Sequence, residues 1–446
     1  MSGNMVEDSL LNQTTSSTGP REPAPHRLPG AFNAVETVMK LELLGRARSK
    51  KWIAAMVVWV ILLTLMWIGM LAVYANFGSH NGMSPADLAT ALYQAKQWSF
   101  ALMLLFTLGV SLAIAPALAS TTINGNRETA NLAILQATPI TPSALLWGKL
   151  LAAWISGAVF VLVGAVPLAI LVGTNQLGWA MFVKAVAVML AEVFIVCAIG
   201  IGASALNSRP VASVLATYLL VGLLMIGGPL TFIFTANAMT ERVEFDFHSM
   251  NYDGSSDPWS NPDYNQDSRY PGLNKDPGWK CEVEKNEKYL SHTNRTWWLL
   301  LSSPVAILSD AAIGTGPHNS SIEGPLYGVP GGNTMLGFLA GRIASQRLES
   351  PSGSEFLARA QDVKPPQLSV YDECYVGPNG KIELVPIREA AQLDNEVFGA
   401  NYSKFLGQSW YWGMIFHAVL AASAIWLAWA RLRVPVKRLP KGVRIA

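Results

Sequence analysis

Six long, continuous apolar runs constrain this chain more than any other feature. They cover residues 52–74, 98–119, 150–172, 180–203, 211–234 and 410–430. A bilayer core about 30 Å thick takes roughly 20 apolar residues as a helix. Backbone polar groups in lipid are satisfied only within helices or closed barrels, and these runs do not alternate as barrel strands do. They therefore read as six transmembrane helices, the third with a kink at Pro167. Composition agrees: 51% of residues are hydrophobic and 14% charged, against about 25% charge in a soluble domain. A cytosolic enzyme, a disordered chain and a disulfide-dense secreted scaffold are all excluded.

Lys and Arg set the orientation. Arg21, Arg27, Lys40, Arg46, Arg48, Lys50 and Lys51 precede the first run, and Arg431, Arg433, Lys437, Arg438, Lys441 and Arg444 follow the sixth. Arg127 and Lys149 lie between runs two and three, and Arg209 between runs four and five. The intervening loops carry only Lys96. Both termini are thus expected in the cytoplasm of a multi-pass plasma-membrane protein. The expected order is a disordered tail (1–30), a membrane-flanking stretch (31–51), five spans (52–234), an extracytoplasmic segment (235–408), a last span (409–430) and a basic tail (431–446). The exterior segment holds 22 acidic and 14 basic residues. It reads as a small α+β domain, with short helices over 338–348 and 354–361, a strand over 381–386, and an apolar 297–312 stretch too short to span.

Individual residues divide between functional and ordinary readings. Glu192 sits in the middle of the fourth run, where an ionised group costs about 2.5 to 3.5 kcal/mol on insertion scales. It is either a substrate or coupling group, or a hydrogen-bonded residue between helices. His417 reads as a packing histidine and Lys184 as a side chain reaching for the interface. Cys281 and Cys374 share the exterior segment, where oxidation favours a disulfide; two separate thiols are the alternative. Asp253, Asp257, Asp263 and Asp267 lack the spacing of a calcium loop and read as a solvated acidic stretch. No zinc spacing, nucleophile triad or nucleic-acid patch is present.

The connection between runs two and three carries the most information. Asn124-Gly125-Asn126 starts a helix over about 126–138 that Thr138-Pro139 stops; Thr141 caps the next helix, with Pro142 at its first position. The positions Ile123, Arg127, Glu128, Thr129, Leu132, Leu135, Thr138, Pro139, Gly148 and Lys149 resemble the signature of type-2 ABC exporter permeases, with Ala130 where that family often has Gly. Residues 33–48 resemble that family's elbow helix, although Glu42 interrupts the apolar stripe. Pro304, Leu308, Asp310 and Ala311 resemble its exterior segment before the last span.

The resemblance implies an ATP-driven exporter whose coupling helix, with Arg127, Glu128, Thr129, Leu132, Leu135, Thr138 and Pro139, docks on a cytoplasmic ABC ATPase subunit. It also implies a second permease copy or paralogue. The chain has no Gly-x-x-x-x-Gly-Lys-Ser/Thr loop, so ATP and Mg would be bound by the partner and no cofactor by this chain. A membrane sensor or scaffold acting through the exterior domain is the alternative function.

Overall fold

The computed structural model describes residues 31–78, 84–124, 141–175, 178–255, 257–263, 269–312, 335–347, 352–361, 372–384 and 408–433. Within them, six helical segments are long and apolar enough to cross a membrane. These are α2 (Lys50–Gly78), α3 (Pro85–Ala119), α4 (Pro142–Asn175), α5 (Trp179–Leu206), the fifth segment Pro210–Ala238, and α11 (Trp410–Leu432). The fifth comprises α6 (Pro210–Gly222), a π-helical stretch Leu223–Gly227 and α7 (Gly228–Ala238). Ahead of them lies α1 (Ala31–Ala47), packed on α4.

Helix starts follow local chemistry. Ser84 accepts from the Asp87 backbone N–H at 3.2 Å, and Pro85 fills the first turn of α3. Thr141 accepts from the Ala144 N–H at 3.3 Å ahead of Pro142. Proline costs nothing there, because the first N–H groups of a helix have no internal partner. The most buried of the six spans is α5, which lies among α3, α4, α6 and α11. Small and aliphatic side chains such as Ala185, Met189, Val193 and Ala198 leave it no solvent-exposed face over its inner turns.

The fifth segment runs directly into β1 (Thr240–Tyr252), which pairs antiparallel with β2 (Trp279–Ser291) over thirteen residues. At about 3.3 Å per residue the hairpin extends on the order of 40 Å. This long hairpin has no counterpart in the sequence reading. A short pair follows, β3 (Cys374–Val376) with β4 (Ile382–Leu384). The 297–312 stretch forms a 3-10 turn over Trp297–Ser302 and α8 (Pro304–Ala311). The helices α9 (Met335–Ser345) and α10 (Gly353–Gln361) lie near the expected ones, and β4 falls within the expected 381–386 strand. The two ends of the helical bundle are called below the α1 end and the hairpin end.

Candidate functional site

At the α1 end, Lys149 has a side chain only 1% exposed, and its ammonium pairs with the Glu42 carboxylate of α1. The residue that interrupts the apolar stripe of α1 is therefore the partner of a cation buried on α4. One turn along α1, Arg46 donates from Nη2 to the Leu118 carbonyl at 2.9 Å, capping the last turn of α3. Burial pulls the Arg46 guanidinium below its usual range, with Glu42 opposing. Val38, Leu41, Leu145, Glu42, Arg46 and Lys149 are among the residues lining an open cleft of ≈ 480 Å³ at α1 and α4.

The chain leaving α3 is equally fixed. Ser204 Oγ of α5 accepts from the backbone N–H groups of Ile123 and Asn124, at 3.0 and 3.2 Å. Ser213 of α6 donates to the Ser120 carbonyl at 2.6 Å. The residues flanking the 125–140 connection are thus Asn124, tied to α5, and Thr141, which caps α4. The predicted coupling residues Arg127, Glu128, Thr129, Leu132, Leu135, Thr138 and Pro139 lie outside the described residues.

A second constellation lies inside the bundle. Both carboxylate oxygens of Glu192 stand 2.9 Å from His417 Nδ1, with side chains 1% and 0% exposed. His417 Nε2 stands 2.9 Å from the Ser302 carbonyl, to which it donates. The sequence singled out both residues without joining them, since 225 positions separate them.

Residues 37–253 match a family model described as "ABC-2 family transporter protein". The match spans just under half of the chain and runs from α1 through β1. Through this stretch the chain is similar to the ABC-2 transporter permease family. It is a multi-pass membrane protein and a component of a membrane transport system. No curated protein and no solved structure matches it.

The permease closes its hairpin end with residues outside the matched stretch. Asp310 Oδ2 accepts from the backbone N–H groups of Ser409 and Trp410, at 2.5 and 2.6 Å, and from Ser409 Oγ at 3.1 Å. Ser409 has no side-chain cap of its own, so a carboxylate 99 residues upstream caps α11. Burial raises the Asp310 carboxyl above the usual carboxylate range, with the Ser409 and Trp410 N–H groups pulling against it. Lys184 donates to Gln408 Oε1 at 2.9 Å, a specific partner where the sequence suggested only a solvent-seeking amine. On the hairpin, Cys281 of β2 and Cys374 of β3 form a disulfide. Among the described residues, no group of three or more His, Cys, Asp and Glu is placed to hold a metal.

Proposed function

We propose that this permease is the transmembrane subunit of an ABC exporter, driven by ATP hydrolysis on a separate cytoplasmic ATP-binding subunit. It works beside a second permease copy or paralogue. The α1 end faces the cytoplasm and the hairpin end the exterior, as the basic flanks require. The observation that carries the reading is how the two flanks of the 125–140 connection are attached. Asn124 is tied to α5 and Thr141 opens α4, while Lys149, two turns further along α4, is locked to α1 by Glu42. A push on this connection reaches α3 through Asn124, α4 through Thr141, and α1 through the Lys149–Glu42 pair.

ATP binding on the partner displaces the connection, and the attached helices tilt relative to the fifth segment and α11. The two bundle conformations differ in affinity for the nucleotide-bound partner, which is the condition for ATP to shift their populations. The chain solubilised from its native membrane should carry an ATP-binding subunit at near-equal stoichiometry and show vanadate-sensitive ATP hydrolysis. Leu132→Asp and Glu128→Ala should each lower partner recovery and hydrolysis about tenfold or more. A chain that purifies intact with no ATP-binding subunit supports the sensor or scaffold reading instead.

A further inference from the structure

We infer that Glu192, His417 and the Ser302 carbonyl form a binding site for one proton, occupied while the Trp297–Ser302 turn is seated on the bundle and emptied when that turn lifts. The argument starts from hydrogen-bond donors. A carbonyl only accepts, so His417 Nε2 must carry a hydrogen toward Ser302. The opposite nitrogen, Nδ1, faces two carboxylate oxygens at 2.9 Å. That contact needs one proton between the groups, on the imidazole or on the carboxyl, and in both forms the pair is neutral overall. Removing the proton sets the Nδ1 lone pair against a carboxylate and leaves a negative charge enclosed by apolar side chains. Adding a second leaves an enclosed positive charge. Burial penalises both, so the seated turn retains one proton.

The seat itself is built for close contact. A Cβ on Gly413 of α11 would stand 2.6 Å from the Leu301 carbonyl, and one on Gly228 would strike Ser302 Oγ at 1.7 Å. Only glycine admits the turn at both places. Pro229 has no N–H for the Met225 carbonyl four residues back. Ser303 Oγ donates to that carbonyl at 3.2 Å. The turn therefore bridges the π-helical stretch of the fifth segment and the proton site on α5 and α11. His417 lies seven residues from the start of α11, roughly 10 Å along the helix, so lifting the turn opens the site from the hairpin end.

Once water reaches the pair, burial no longer penalises a charge there. Above about pH 6.5 a hydrated histidine is neutral and a hydrated glutamate is ionised. Opening then releases the proton to water, and the linkage relation makes the opening equilibrium rise about tenfold per pH unit. Below about pH 6.5 the open pair keeps the proton and the dependence vanishes. Other ionisable groups on the surrounding described elements are Asp87, Tyr93 and Lys96 on α3, Lys184 and Cys197 on α5, Lys149 on α4, Tyr218 on α6, Asp310 on α8, Tyr411 and Arg431 on α11, and Arg295 and Arg347 beside the turn. None of them appears among the hydrogen-bond partners of Glu192 or His417.

Hydrogen exchange on the full chain in lipid nanodiscs, without any ATPase, tests this separately from the transport reading. After division by the intrinsic base-catalysed rate, opening of the amides of 297–303 should rise about tenfold per pH unit from pH 7 to 9 and level off below about 6.5. Glu192→Gln keeps a donor toward Nδ1 with no exchangeable charge. It should abolish the alkaline rise and create an acid-side rise, because only its open histidine can gain a proton. A wild-type profile that is flat from pH 7 to 9 overturns the proposal, and the wild-type series decides the matter even if the variant does not fold. An alkaline rise that persists in Glu192→Gln overturns it as well, by assigning the proton to another group.

Discussion

Lys149 carries an ammonium into a site with 1% exposure, while Glu42, its partner, keeps 29%. This asymmetry decides which half of the pair matters more. Glu42→Gln strands a cation in an apolar site, and breaking a buried pair from one side costs about 3 to 5 kcal/mol. Lys149→Met replaces the buried amine with an apolar side chain of similar length and leaves Glu42 partly in water, where the loss is expected within about 1 kcal/mol. Thermal unfolding in one detergent should therefore rank Glu42→Gln well below Lys149→Met, with the double variant close to Lys149→Met. Equal losses from the two single variants would show that the pair is not desolvated as described. At this scale the sequence named the residues but not their pairings. Glu42 stood out as a flaw in a stripe and Glu192 as a charge inside a span, and each flaw marks a partner on another helix. Those partners, Lys149 and His417, lie 107 and 225 residues away. Local periodicity holds no information over such distances, so the Glu192–His417 contact that makes the proton site was out of reach.

The spans were the most legible elements, because the length and continuity of an apolar run record the thickness of the bilayer directly. Elements of the 235–408 segment were less so. The alternation Val243-Glu244-Phe245-Asp246-Phe247 is a strand signal, and its apolar side faces Phe356 of α10, with the Phe245 and Phe356 rings 5.6 Å apart. The partner strand gives almost no signal: between Glu282 and Tyr289 its residues are mostly exposed and largely charged, so the hairpin went unread. The cap of α11 shows how an element outside the apolar runs positions one of them. Asp310→Asn keeps an acceptor oxygen for the Ser409 and Trp410 N–H groups, whereas Asp310→Ala leaves both uncapped. The alanine variant should lose about 1 to 2 kcal/mol and the asparagine variant much less. Because burial raises this carboxyl, the folded chain binds its proton more readily than the unfolded chain does. Its contribution to stability is full below the ordinary carboxylate range and is lost as pH rises through the raised value. Asp310→Asn should remove that slope from a series of melting temperatures taken between pH 4 and 8.

At the scale of the whole molecule, the match to the permease family stops at residue 253, one residue past the end of β1. The last span is nevertheless tied to the matched bundle by Glu192 with His417 and by Lys184 with Gln408, while Asp310, itself outside the match, caps it. The strands depend on different ties. His248 N–H donates to Asp372 Oδ1 at 2.6 Å, Glu373 N–H donates to the His248 carbonyl at 2.8 Å, and the disulfide joins Cys281 to Cys374 across 93 residues. Among the described ties, the disulfide is the only covalent one holding the 372–384 stretch to the hairpin. A cross-link over a loop of that length contributes about 2 to 4 kcal/mol, chiefly by restricting the unfolded chain. Its loss should act on the strands and spare the helices, whose contacts it does not touch. Replacing both cysteines with serine should make protease cleavage within 240–291 at least tenfold faster in nanodiscs, while the six spans stay protected and helical. Unchanged cleavage would mean that the His248 and Asp372 contacts hold the strands together unaided. Cleavage spreading into α5 or α11 would mean that the hairpin and the bundle unfold as one unit.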